Sequence, residues 1–449
     1  MRCPLFVTVC GVALLSSSRP TLAQDPAPIK FETYSLPNGL SVVLAEDHAS
    51  QVVEVNVWYH VGSRNEVRGR TGFAHLFEHM MFQGSANVPK AQHSALVTNA
   101  GGINNGSTTE DRTNFFETLP SNRLNLGLWL EAEHMRSLAV NKDNFENQRQ
   151  AVKEERRLRV DNQPYTWALF EGSYGVYDST TCFPYAHSVI GSMSDLDAAQ
   201  TNDVLAFYKQ YYVPNNATLT VVGDIAPAEA KKLVQQYFGD IPRGADPANV
   251  ECTPKFNTGA VRRNVKDVNA NLPAVFQVFR VPEYKSADYP ALNLLSTILG
   301  GGESSRLNRS LAREKKSAAQ AFTIFNPFGP RNGAGVFLAG GIVNQGVSMD
   351  TLDAQLASEL AKVARDGVTD AELTKAKNAY RSSVINARQY AASVAEALQT
   401  ANQFLGSPAA VNEQLARYMK VSVADITRVA ATYLRPDNSL TLLVSKEGK

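Results

Sequence analysis

Between Gly72 and Met81 the chain carries an H-x-x-E-H motif in which every residue other than His75, Glu78 and His79 is apolar or small. Placed on a helix at about 100° per residue and measured from Phe73, Glu78 falls at about 140°, His75 at about 200° and His79 at about 240°. The three polar groups therefore share one arc, and Phe73, Leu76, Phe77, Met80 and Met81 occupy the other. Two imidazoles one turn apart can direct a nitrogen each at one divalent ion about 2.0–2.1 Å away. Glu78 is then placed to reach a water held by that ion. The competing reading is a solvated His pair, but a solvated face would not be flanked by Phe73, Phe77, Met80, Met81 and Phe82.

At 449 residues with 44% hydrophobic content the chain exceeds one ordinary core, and two domains are expected. Its 44 basic and 43 acidic residues leave a net charge of +1, which gives no field to gather nucleic acid or a membrane surface. Residues 1–23 read as a secretory signal peptide: Arg2, an apolar run from Leu5 to Leu15, and a Thr21-Leu22-Ala23 exit. A run of about 11 residues is too short to span a bilayer, so no membrane insertion is expected. An organellar transit peptide is the rival, though such segments are Arg-rich and amphipathic. In a Gram-negative cell the signal would deliver the chain to the periplasm. Its removal leaves Cys182 and Cys252, whose pairing the spacing alone does not decide.

An internal repeat points to two similar halves. Tyr211 to Val222, with its Tyr-x-x-Pro-x-Asn turn and apolar strand, recurs as Tyr433 to Val444, and Asp203 and Val204 recur as Asp425 and Ile426. Strand patterns run over Leu40 to Ala45, Val52 to Val61 and Leu272 to Val281. Helical patterns cover Leu119 to Leu138, Asp143 to Arg159, Ser286 to Leu299, Met349 to Arg365 and Asp370 to Phe404. The expected class is α+β, each half an antiparallel sheet backed by helices. The expected division is an extension over 24–32, a metal-bearing domain over 33–243, a linker over 244–262 and a second domain of the same fold, without the motif, over 263–449.

A catalytic zinc site built on two His commonly takes a carboxylate as its third ligand. In the helical pattern measured from Phe145, the packed arc runs from about 220° to 360°, defined by Leu158, Ala151 and Val152. Glu155, at about 280°, lies in its middle, and Glu154, at about 180°, lies outside. A carboxylate centred in an apolar arc needs a compensating cation. A metal is one; Arg156 or Arg159 is the other, and Arg159 falls in the same arc. Geometry favours Glu155 as ligand, with Gln148, two turns earlier on that face, in hydrogen-bonding range of the site.

These residues resemble the inverzincin peptidases of the pitrilysin, insulysin and mitochondrial processing peptidase family, over nearly the whole mature chain. Gly62-Ser63-Arg64-Asn65-Glu66 followed by Gly72 to Gly84 is similar to that family's G-S-x-x-E to H-x-x-E-H signature. Gly101 to Thr113 looks like its next strand, which borders the site, so Asn105 and its neighbours are implied to hold extended substrate. The stretch Asp143 to Glu155 resembles the family segment whose final Glu ligates zinc, a register that also selects Glu155. The resemblance implies two halves enclosing a central chamber, one Zn²⁺ per chain on His75, His79 and Glu155, Glu78 as general base, and hydrolysis of peptides or unfolded segments.

Two departures stand out. Gln148 occupies a position where the family carries a supporting Glu. Relatives that carry a substrate-contacting Arg with a Tyr seven residues on are matched here by Arg313 and Gln320, with Arg306 in the same segment, so the Tyr is missing. The implied assembly is a homodimer, or a heterodimer with a related subunit that supplies the Arg/Tyr pair. The alternative function is a non-catalytic or weakly active scaffold or partner subunit of the same fold; a third reading is a zinc-retaining peptide-binding protein. His48, His60, His93, His134 and His187 fit no ligand spacing and are expected to be ordinary core or surface residues.

Overall fold

The chain is seen in a computed structural model that describes residues 25–250, 252, 260–327 and 329–446, so the expected signal peptide lies outside the described residues. β-Branched and aromatic runs form the first sheet from β1 (Glu32–Ser35), β2 (Ser41–Glu46), β3 (Val52–Tyr59), β4 (Ile103–Thr108), β5 (Thr113–Pro120) and β6 (Ala217–Gly223). Its helices are α1 (Phe73–Met81), α2 (Gln92–Asn99), α3 (Leu124–Ser137), α4 (Lys142–Arg156), α5 (Thr166–Tyr174), α6 (Met193–Ala198), α7 (Thr201–Tyr211) and α8 (Pro227–Phe238). The second half contributes β7 (Val261–Lys266), β8 (Ala274–Val281), β9 (Ala318–Phe325), β10 (Gly335–Val343) and β11 (Ser439–Ser445). Its helices are α9 (Tyr289–Gly300), α10 (Met349–Asp366), α11 (Asp370–Ala387), α12 (Ala391–Leu405), α13 (Gln414–Met419) and α14 (Val423–Tyr433).

The strand orders are β1-β2-β6-β3-β5-β4 and β7-β11-β8-β10-β9. Both sheets are antiparallel apart from one pair each, β2 with β6 and β7 with β11, which run parallel because the last strand of each half returns to the sheet after a helix. The repeat at an offset of 222 falls on matching elements: α7 and α14, the following Pro-led turns, then β6 and β11. The α+β architecture of two like halves is thus the one the sequence leads one to expect.

Each half lends a helix to the other's sheet. Along β2, Val42 and Leu44 face the first half's own core, whereas Val43 and Ala45 alternate to the opposite face and meet Val394, Ala395 and Leu398 of α12. Reciprocally, Ala168 of α5 joins Phe276, Val278 and Leu442 of the second sheet. Gly172 permits that approach, since a Cβ there would stand 2.9 Å from Val278 Cγ2. Burial on both faces explains why β6 is buried at all seven positions, Thr218 and Thr220 included. The last two residues of the expected 244–262 linker, Val261 and Arg262, already belong to β7, and the helix exchange ties the two halves together.

Three segments depart from the expected pattern. Leu119 and Pro120 finish β5, and α3 begins only at Leu124, because the apolar run spans a strand end and a helix start. The pattern over Asp370 to Phe404 is interrupted at residues 388–390, which lets α11 stay with its own half while α12 turns onto the first sheet. After Arg156, α4 passes into a π-helical turn over Arg157–Asp161, which shifts the helical phase. Leu158, expected in the packed arc, is accordingly 55% exposed.

Polar contacts also join the halves. Arg331 and Glu110, both with fully buried side chains, form an ion pair at 2.6 Å, and neighbouring Asn332 donates to Asp111 Oδ1 at 3.1 Å. Asp111 also accepts from Arg64 and from Tyr185. Cys182 and Cys252 form a disulfide with a Cα separation of 4.6 Å. Between the halves lies a cavity of about 630 Å³, lined by Asn105, Ser107 and Arg112 of the first and by Tyr284, Tyr380 and Glu396 of the second. Arg331→Met should strand the Glu110 carboxylate and lower the unfolding free energy by about 3–5 kcal/mol. Arg331→Met/Glu110→Leu should recover much of the loss, as read from urea denaturation; additive losses would show the pair is not coupled.

Candidate metal centre

The motif helix is fixed at its start. The chain enters α1 through Gly72 at φ +89°, where a Cβ would stand 2.8 Å from the Ile190 carbonyl oxygen, so only glycine fits. The Glu66 carboxylate accepts from the Gly72 and Ala74 amides, each at 2.8 Å, and so satisfies two of the donors a helix N-terminus leaves open. His187 Nε2 lies 3.1 Å from Glu66 Oε2 and holds that cap in turn. Phe73, Ala74, Leu76, Phe77, Met80 and Met81 are buried, Phe77 stacking on Phe207, so the apolar arc anchors the helix as its periodicity requires. Glu66 was visible only as part of a signature, and His187 had no sequence signal, because its partner lies 121 residues away.

The opposite arc meets the end of α4. Asn141 caps α4 by accepting from the Asn144 amide, and Phe145 and Val152 bury its packed face. Glu155 in the last turn brings Oε2 to 3.0 Å from His79 Nε2 and 3.5 Å from His75 Nε2. A tetrahedral ion with bonds of about 2.0–2.1 Å separates its donors by about 3.3 Å. The two distances to Glu155 Oε2 bracket that value and all three donor atoms lie within 4.8 Å of one another, so the group can hold a divalent transition ion, and two imidazoles with one carboxylate suit zinc. Burial lowers the His75 pKa to about 4, and the hydrogen bond from His79 holds the Glu155 carboxyl below its usual range. A neutral imidazole and an ionised carboxylate are the forms that ligation needs.

Arg159 reaches the other oxygen, Oε1, of Glu155 at 3.1 Å. The arginine that the sequence offers as a rival to a metal thus occupies a different atom and leaves Oε2 to the imidazoles. Glu154 is exposed and pairs with Arg157. Glu78 Oε2 accepts from Thr108 Oγ1 at 2.7 Å, and burial raises its pKa against the pull of that hydrogen bond. Thr108 ends β4, the outer strand of the sheet, which pairs only with β5 among the described residues. Asn105 and Ser107 of the same strand line the cavity between the halves, whereas His75, His79 and Glu155 do not.

The remaining candidates lie apart from this cluster. Gln148 is buried on α4, with its amide donating to Asn147 Oδ1 at 2.7 Å. Arg306 makes a two-point contact with Glu372 at 2.7 and 2.6 Å and donates to the Gly367 carbonyl, all within the second half. Arg313 pairs with Glu303, and Gln320 is exposed on β9, the outer strand of the second sheet. His93 and His134, expected as ordinary core or surface residues, are buried, and the fold brings them beside Glu117 and Glu131. The Glu131-x-x-His134 spacing on α3 was the one sequence signal for that second grouping.

Residues 41–170 match the model of the insulinase family, peptidase family M16, and residues 198–380 match that of the peptidase M16 inactive domain. The chain is 32% identical to the zinc protease PqqE of Helicobacter pylori over 97% of both proteins. The crystal structure of a protease from H. pylori, also 32% identical, superposes with a TM-score of 0.84 over 93% of this chain and all of that one. A peptidase M16 inactive domain from Pseudomonas fluorescens shares the fold, with a TM-score of 0.81 at 18% identity, over 93% and 98% of the two chains. The chain therefore belongs to the M16 peptidase family.

Proposed function

We propose that this chain is a zinc-dependent endopeptidase acting on peptides or unfolded segments, with His75, His79 and Glu155 as ligands of one zinc ion and Glu78 as general base. The observation that carries the reading is the convergence of the His75, His79 and Glu155 donor atoms within 4.8 Å of one another, one residue from a carboxylate that no cation pairs among the described ion pairs. Zinc bound there supplies Lewis-acid chemistry toward a peptide carbonyl and toward water. Glu78 takes the proton from the attacking water and delivers it to the leaving amine nitrogen. Thr108 holds one Glu78 oxygen and so fixes the direction in which the other faces. The open edge of β4 offers N–H and C=O groups to an extended substrate backbone, with Asn105 alongside.

The same reading assigns the chain to the periplasm, supported by the apolar leader and by a disulfide of the kind that oxidising compartments maintain. It also makes this chain the metal-bearing member of a pair, homodimeric or, as Gln320 in place of a Tyr suggests, heterodimeric with a subunit carrying the Arg/Tyr pair. A second reading, a weakly active or non-catalytic partner subunit, is favoured by the neutral Gln148 and by the inactive-domain match over residues 198–380.

Glu78→Gln should retain zinc and lose about 10²–10⁴-fold in turnover of a quenched-fluorescence peptide library. His75→Ala should lose both metal and turnover. Undiminished turnover by Glu78→Gln would remove the proposed base. The zinc-loaded chain alone should be a poor peptidase that a related Arg/Tyr-bearing subunit activates; full turnover by the isolated chain would reject the division of labour.

A further inference from the structure

Behind the first sheet, β5, α2 and α3 bring four titratable side chains together in an enclosed space. Glu117, Glu131, His93 and His134 are 0%, 0%, 2% and 3% exposed. His93 Nε2 lies 3.0 Å from Glu117 Oε1, and His134 Nδ1 lies 3.4 Å from Glu131 Oε1. Donor atoms of His93, Glu117 and Glu131 all fall within 4.8 Å of one another. The two imidazoles stack at 4.5 Å and 12°, with Phe82 edge-on to both. Glu117 Oε2, both oxygens of Glu131 and both ring nitrogens of His134 are buried without a well-aligned hydrogen-bond partner, and the two carboxyls face each other.

We propose that His93, Glu117 and Glu131, with His134 stacked beside them, form a second, structural site for a zinc-class divalent cation. The argument is one of charge and satisfaction. Among the described ion pairs no Lys or Arg reaches either acid. A divalent ion balances two carboxylates and gives partners to the unpaired atoms, whereas leaving them bare costs about 1–3 kcal/mol per group or more. An imidazole among the donors favours a transition ion over Ca²⁺ or Mg²⁺, which take oxygen ligands. Buried donors with no opening to solvent describe a structural site rather than a catalytic one. The ion would tie α2 and α3 to β5, and through Phe82, which follows directly on α1, it would brace the catalytic helix from behind.

The test is a crystal of the full chain, dialysed against zinc, with anomalous data collected on either side of the zinc edge. A peak bounded by His93 Nε2, Glu117 and Glu131 is expected; its absence while the His75/His79 site shows one overturns the proposal and leaves a proton shared between the two acids. Metal analysis of His75→Ala/His79→Ala should find one zinc per chain remaining, falling to none when Glu117→Gln/Glu131→Gln is added. A first-site variant that binds no zinc would equally overturn it. Neither readout depends on activity, so loss of the peptidase reading would leave the result interpretable.

Discussion

The structure turns on one carboxylate oxygen. Glu155 Oε2 sits within 3.0 and 3.5 Å of two imidazole nitrogens from a different helix. An acid and two imidazoles in a partly buried pocket are stable together when their protons or an ion are shared among them. Everything that holds α1 and α4 in their relative positions serves that spacing. The apolar arc of α1 packs into the first core, Glu66 caps its start, and Arg159, one turn on from Glu155, holds the second Glu155 oxygen. Neither helix could make the site by itself.

The two halves supply the surroundings. Exchange of α5 and α12 means that neither sheet has both faces covered without the other half, so the cavity between them is a consequence of the fold rather than an accident of packing. The buried Glu110–Arg331 pair and the Asp111 contacts reinforce that joint with directional interactions. The outer strand β4 stands between cavity and metal cluster, presenting Thr108 to Glu78 and Asn105 and Ser107 to the cavity. One short strand thus links the space that would hold a peptide to the groups that would cleave it.

Local periodicity made most of this legible. The H-x-x-E-H helix, the strand patterns and the 222-residue repeat are short-range signals, and each has its counterpart in the fold. Glu155 could be singled out because a carboxylate inside an apolar arc is itself anomalous. What periodicity could not show was phase change and distant pairing. Leu158 left its arc because a π-turn altered the helical repeat, and the interruption at residues 388–390 served a tertiary purpose. His187, His93 and His134 are assigned partners only by the folding together of separate elements. Residues read as ordinary in sequence are the ones whose meaning is set by long-range contacts.

The claim at the centre is that Glu155, and not its neighbour Glu154, completes the ligand set. Zinc affinity, read by competition with a chromophoric chelator, tests it directly on Glu155→Ala and Glu154→Ala. The account predicts a fall of at least about tenfold for the first and parent affinity for the second. Parent affinity in Glu155→Ala would contradict it.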